Sequence, residues 1–175
     1  MIAARALLIK EGIASVEIGQ LARKLRVTRG GFYWFFASRN QLLDELLADW
    51  ETNNTAAFRA VLNNVYSKGF AEYRAIVDIW VNEENYSSQW DAAVRDWARS
   101  SVKVAAAVRR IDDERIEILK RTFLDMGVED LEAFVRARTT YFHQVGYYSL
   151  GVRESHAERL RLMPIYLRIL TDRTD

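Results

Sequence analysis

The sequence predicts an all-α protein, with a small N-terminal three-helix unit over residues 1–47 and a larger helical body over residues 48–175. Two observations carry this. The 175 residues hold one proline and eight glycines, too few breakers for a loop-rich β architecture. Apolar residues recur at helical spacing, as in Leu42, Leu43, Leu46, Leu47 and Trp50. A chain of this length that is 50% hydrophobic buries a sizeable core unaided.

A first helix covers Ala3 to Lys10 and ends at Gly12. Two short helices follow within Ile18 to Phe35, the second containing Gly30 and Gly31. Ser38 caps a long helix that runs to about Val65, with Gln41 reaching back from the third position. Next come a helix over Phe70 to Val81 and one over Ser88 to Val108, whose stripe is Trp90, Val94, Trp97 and Ser101. Asp112, Asp113 and Glu114 place acids at the start of a further helix that carries Ile116, Leu119, Phe123 and Met126 and stops at Gly127. The last two helices span about Glu129 to Leu150 and His156 to Thr171, with Pro164 kinking the second or opening a fresh turn.

Composition excludes several functions. There is no cysteine, so disulfides, thiol chemistry and Cys-built zinc sites are absent, which fits a reducing cytoplasm. No run of about 18 apolar residues is present to span a membrane. Met1 to Ile9 is too short for a signal peptide and is interrupted by Arg5. His143 and His156 have no metal-ligand spacing with nearby carboxylates. No phosphate loop or nucleophile–base pattern occurs. The expectation is a protein that is not an enzyme and has neither cofactor nor metal.

Net charge is only +1, but it is unevenly spread. No acid lies between Glu17 and Asp44, whereas Arg23, Lys24, Arg26, Arg29 and Arg39 all do. A solvated helix face explains such a run; so does an electrostatic footprint for nucleic acid. The segment IGQLARKLRVTRGGFYWF, Ile18 to Phe35, separates the two. Leu21, Leu25, Val27, Phe32 and Phe35 supply a wedge between two crossing helices, and Ala22 lets the backbones approach. Arg26-Val27 is the turn and Thr28 caps the second helix. The outer side then shows Arg29, Gly31, Tyr33 and Trp34. Arginine pairs bidentately with guanine, a tyrosine hydroxyl suits a phosphate, and an aromatic edge meets a thymine methyl. An ordinary pair of core helices explains the apolar set but not that basic, aromatic, acid-free face.

From about Ala3 to Leu47 the chain resembles the DNA-binding region of the TetR family. The residues are Gly12, Leu21-Ala22, Val27-Thr28-Arg29-Gly30, Phe32-Tyr33-Trp34-Phe35-Phe36, and Ser38-Arg39 before Leu42-Leu43. The resemblance implies a helix-turn-helix regulator, probing a double-stranded operator with Thr28, Arg29, Gly31, Tyr33, Trp34 and Arg39. Glu17 stands where the family has Ser or Thr, and should cap its helix while repelling the DNA backbone. Arg26 replaces the turn glycine, and Gly31 replaces a small side chain, allowing closer approach to DNA.

The resemblance further implies a C-terminal body that binds a small-molecule effector and dimerises. An aromatic-rich body with scattered polar groups such as Asp96 and His143 suits a mostly apolar pocket, and Trp97, Phe123, Tyr141, Gln144 and Tyr148 are its candidates. Core packing explains the same aromatics. The last two helices are apolar on nearly two sides, and Leu131, Val135, Phe142, Val145, Leu160, Met163 and Leu167 are candidates for a homodimer built as a four-helix bundle. The expected protein is a repressor acting as a homodimer on a palindromic operator. The rival is an all-helical small-molecule-binding protein or enzyme whose helix-turn-helix is only structural; a protein-binding adaptor is a third reading.

Overall fold

The computed structural model describes residues 1–64 and 68–173, with the side chain of Arg29 outside that description. Among the described residues every regular element is a helix: α1 Ile2–Glu11, α2 Ile18–Leu25, α3 Arg29–Tyr33, α4 Arg39–Leu62, α5 Phe70–Asn82, α6 Ser88–Ala98, α7 Val102–Asp125, α8 Asp130–Ser149 and α9 His156–Thr171. A 310 turn covers Ile13–Ser15. The chain divides into two compact units, Met1–Asn54 with Gln89–Arg109, and Thr55–Ser88 with Arg110–Asp175. The units differ from a cut at residue 47, because α6 and the start of α7 join the N-terminal segment.

Local chemistry accounts for most boundaries. Gly12, at φ 79°, ends α1 and donates its N–H to Leu8. Ser38 Oγ accepts from Gln41 N at 3.1 Å, while Gln41 Oε1 accepts from Ala37 N at 2.8 Å, a reciprocal cap that opens α4. α4 closes at Leu62, and Val65 lies outside the described residues. Pro164 opens no new helix: α9 is continuous across it.

One expected boundary is wrong. The chain breaks after Ala98 and restarts at Val102, so no single helix covers Ser88 to Val108. Ser101 accepts from Val104 N at 3.4 Å, and its carbonyl accepts from Ala105 N at 2.9 Å. It acts as a cap, although its spacing also continues the Trp90–Trp97 stripe. The acids Asp112, Asp113 and Glu114 therefore sit inside α7 rather than at its start. Glu114 is used there in a two-point pair with Arg59, at 2.5 and 2.8 Å, and this hydrogen bonding holds its carboxyl below the ordinary range.

In the first unit, α1 packs on α2, and α2 on α3. Leu7, Leu8, Leu21, Leu42, Leu46 and Trp50 are buried, as are Trp90, Val94 and Trp97. In the second unit, α9 packs against both α5 and α8, over a core that includes Phe58, Tyr73, Ile76, Trp80, Phe123 and Tyr141. Gly69 allows a close approach at the start of α5: at φ 62° a Cβ there would lie 3.1 Å from the Asp125 carbonyl oxygen. The buried Glu72 carboxylate accepts from Gly69 N and from Lys68, both at 3.2 Å, so its charge is matched inside the unit.

Candidate nucleic-acid interface and effector cavity

The helix-turn-helix is built from α2 and α3. Arg26 ends α2 in the left-handed region, at φ 57° and ψ 36°. Val27 N bonds to Ala22 O and Arg26 N to Arg23 O, closing the helix over that residue. A non-glycine residue in this conformation costs about 1 kcal/mol, which the paired carbonyls offset. Thr28 Oγ1 then accepts from Gly31 N at 3.0 Å and starts α3 as expected. A Cβ on Gly31 would sit 3.3 Å from that same oxygen, a contact tight by a few tenths of an ångström.

The wedge is smaller than the sequence suggested. Leu21, Ala22 and Phe32 are buried, whereas Leu25, Val27 and Phe35 are exposed. α3 has five residues, too few to turn both Phe32 and Phe35 inward. Phe32 stacks instead on Phe36, 5.3 Å between ring centres. Tyr33 is 53% exposed, Trp34 90% and Phe35 77%. Phe35 is thus a candidate surface residue that periodicity had assigned to the interior. Trp34 lies one residue past the last turn of α3, as its C-cap. Arg23, Lys24 and Arg26 are exposed on and after α2. The role expected of the Arg29 side chain falls outside the described residues.

Arg39 has an intramolecular task. Its Nε donates to Val16 O at 2.8 Å and its Nη2 to Ile13 O at 3.0 Å. Its guanidinium also pairs with Glu17 at 3.0 Å. Glu17 is the N-cap residue of α2 by backbone, but its side chain makes no cap hydrogen bond. The expected carboxylate cap is therefore replaced by an ion pair with Arg39. Arg39 ties the start of α4 to the turn between α1 and α2.

The second unit holds an open cavity of about 70 Å³, bounded by α5, α8, α9 and the segment before α9. Its walls are mostly apolar, with Val77, Trp80, Leu162, Tyr166 and Leu170 among them. Of the five effector candidates, Gln144 lines it. Phe123 is fully buried against Tyr73, with ring centres 5.0 Å apart. Tyr141 is buried and donates its hydroxyl to Asp112 at 2.6 Å. The Tyr148 hydroxyl donates to Trp80 O at 3.0 Å. Trp97 and Asp96 belong to the first unit. The structure therefore does not gather the five into one site, and aromatic content marked core positions instead. His143, which sequence reasoning had noted among the polar groups, does line the cavity; Tyr147 and Arg159 line it without having been singled out as polar groups. Their signal was positional: Thr140, His143, Gln144 and Tyr147 form one helical stripe, and Arg159, Leu162, Tyr166 and Leu170 another.

Arg159 Nη2 donates to Trp80 O at 2.7 Å and to the Tyr148 hydroxyl at 3.3 Å. Its guanidinium lies over the Tyr147 ring, 5.3 Å from the centre. The Tyr147 hydroxyl donates to Glu154 at 3.2 Å. Gln144 Nε2 is buried without a hydrogen-bond partner. Burial pushes the Tyr73 and Tyr148 hydroxyls up to about 12 and lowers the His143 imidazole, which packs on Tyr166 at 4.7 Å.

The dimerisation candidates divide. Leu131, Val135, Phe142 and Leu160 are exposed, with Phe134, Ile165 and Ile169 beside them in sequence register. Val145 is half-buried against the core. Met163 and Leu167 are buried in the unit's own core, which removes them from any outer face. Ala133, Ala137 and Tyr141 occupy the buried side of α8, so its exposed apolar stripe is Leu131, Val135 and Phe142. Among the described residues no helix is long and apolar enough to cross a membrane, and no group of three or more acidic or histidine side chains is placed to hold a metal.

No curated protein sequence matches the chain. Solved structures similar to it include a crystal structure of BioQ, 23% identical with a TM-score of 0.45. BioQ with its natural double-stranded DNA operator is 25% identical with a TM-score of 0.43, and Mycobacterium smegmatis BioQ is 24% identical, also at 0.43. Each likeness covers 98% of this chain and 92% of the other. The family model for bacterial regulatory proteins of the tetR family matches residues 1–46, the segment that holds α1, the capped helix-turn-helix and the start of α4. Over that N-terminal segment the chain is similar to the tetR family of bacterial regulatory proteins.

Proposed function

We propose that the protein is a ligand-responsive, cytoplasmic DNA-binding repressor that acts as a homodimer on a palindromic operator. The observation that carries this is the short, threonine-capped α3 with Tyr33 and Trp34 exposed at its end, in a stretch that contains no acid between Glu17 and Asp44. A helix of that kind presents its side chains to base edges, while the exposed Arg23, Lys24 and Arg26 meet phosphates. Residues 1–47 serve DNA reading and 48–175 serve effector binding and dimerisation. The exposed Leu131, Val135 and Phe142 stripe is suited to a second copy, which places two reading heads on two half-sites. An effector in the second unit favours a state whose heads are wrongly spaced, and so lowers operator affinity.

The test is a fluorescence-anisotropy titration against DNA flanking the protein's own gene, at two salt concentrations, with light scattering for mass. A dimer is expected, with affinity that falls as salt rises and a sequence preference over scrambled duplex. A monomer that binds neither duplex sinks the reading.

A further inference from the structure

We infer that the cavity of the second unit takes a small carboxylate: an apolar body among Trp80, Leu162, Tyr166 and Leu170, with its carboxylate on Arg159 and Gln144. This rests on the reading of that unit as an effector-binding body and specifies the chemistry of what it binds.

The walls favour an apolar body, since most of the surface is aliphatic or aromatic carbon. The polar groups favour an acceptor head. Gln144 Nε2 is a buried donor with no partner, and a buried unsatisfied donor is costly until an acceptor arrives. Arg159 uses one nitrogen, Nη2, for Trp80 O and Tyr148. Among the described residues its Nε and Nη1 have no protein acceptor and no carboxylate pairs with it. Trp80 O and the Tyr147 and Tyr148 rings hold the guanidinium in place. It thus presents a cation whose orientation is already fixed, which reduces the ordering cost of binding. Gln144 and Tyr148 are four residues apart on α8, so the amide and the hydroxyl that touches Arg159 share one helix face. The one acid at the cavity, Glu154, is already the acceptor for the Tyr147 hydroxyl. A cationic ligand head paired with Glu154 would sit near the Arg159 guanidinium, which lies over the Tyr147 ring.

The full-length chain is titrated calorimetrically with octanoate and hydrocinnamate, each beside the alcohol and the amine of the same carbon skeleton. The acids are expected to bind at least about tenfold more tightly than the alcohols. Arg159→Met should abolish that preference and leave alcohol binding in place. Arg159→Lys should keep part of it, and Gln144→Leu should weaken the acids more than the alcohols. Thermal denaturation reports whether each variant is folded, and Gln144→Leu decides the matter if Arg159→Met is not. Equal binding of acids and alcohols, tighter binding of the amines, or no binding of either acid overturns the inference. Operator affinity is read separately. Acid binding that leaves operator affinity unchanged keeps the ligand chemistry and removes the effector role. Operator release by alcohols as strong as by acids does the reverse.

Discussion

Residues 32–36 are five consecutive aromatics, and three of them, Tyr33, Trp34 and Phe35, are exposed. In the second unit Phe58, Tyr73, Trp80 and Phe123 are buried, and the Tyr73 hydroxyl has found a partner in Thr140 at 3.1 Å. The same residue type therefore does two jobs. In the second unit aromatic surface is removed from water and stabilises the fold, and the Tyr73 hydroxyl is satisfied internally. In the first unit α3 ends at Tyr33, too short to fold Trp34 and Phe35 inward, and the surfaces of Tyr33, Trp34 and Phe35 stay exposed. What separates the two is helix length and capping, since composition is alike.

The largest expected effect tests that contrast directly. Phe123→Ala should cost roughly 3–5 kcal/mol of unfolding free energy in urea, whereas Trp34→Ala should stay within about 0.5 kcal/mol. Comparable losses would break the comparison, because Trp34 would then be structural. Next, Arg39→Met should cost about 1–2 kcal/mol by removing charged donors from Val16 O and Ile13 O, a figure lowered for the partial exposure of the site. Its DNA affinity should fall only as far as the fold loosens. A loss of binding at full stability would return Arg39 to the interface.

Smaller effects sharpen the picture. Tyr33→Phe should leave stability unchanged and weaken operator and scrambled duplex alike by about 1 kcal/mol, because a phosphate contact carries no sequence. Glu17→Ser removes the exposed pair with Arg39, worth at most about 1 kcal/mol. It should tighten binding to any duplex, with a gain that shrinks as salt rises. Weaker binding would show that the ion pair matters more through Arg39 than through repulsion. The smallest effect concerns His143. Burial lowers its folded value below the ordinary 6.5, so the unfolded chain binds the proton more readily. Stability should therefore decline as pH falls through and below 6.5, and His143→Leu should flatten that part of the profile in urea titrations at stepped pH.

Local signals were the most legible part of the sequence. Gly12, Thr28 and the Ser38–Gln41 cap each act within a few residues, so identity and spacing announce them. Effects that depend on distant partners were not legible. Nothing near Arg39 signals bonds to carbonyls 23 and 26 residues earlier. Ser101 reads as part of an apolar stripe until its role as a cap is seen. For the cavity, counting aromatics led to Phe123 and Tyr141, which fill the interior, while the helical registers of α8 and α9 were the better guide. Met163 and Leu167 show the same limit: apolarity on two sides of α9 does not say which side is already covered.

The brevity of α3 has a consequence in time as well as space. Five residues, two of them glycine, cannot repay the cost of nucleating a helix. Its persistence depends on the Thr28 cap and on the burial of Phe32. Its amide protons are therefore expected to exchange with deuterium through local opening, long before those of α4 or α7. A duplex that closes over this helix should slow that exchange, and part of the binding energy is then spent on holding the helix shut.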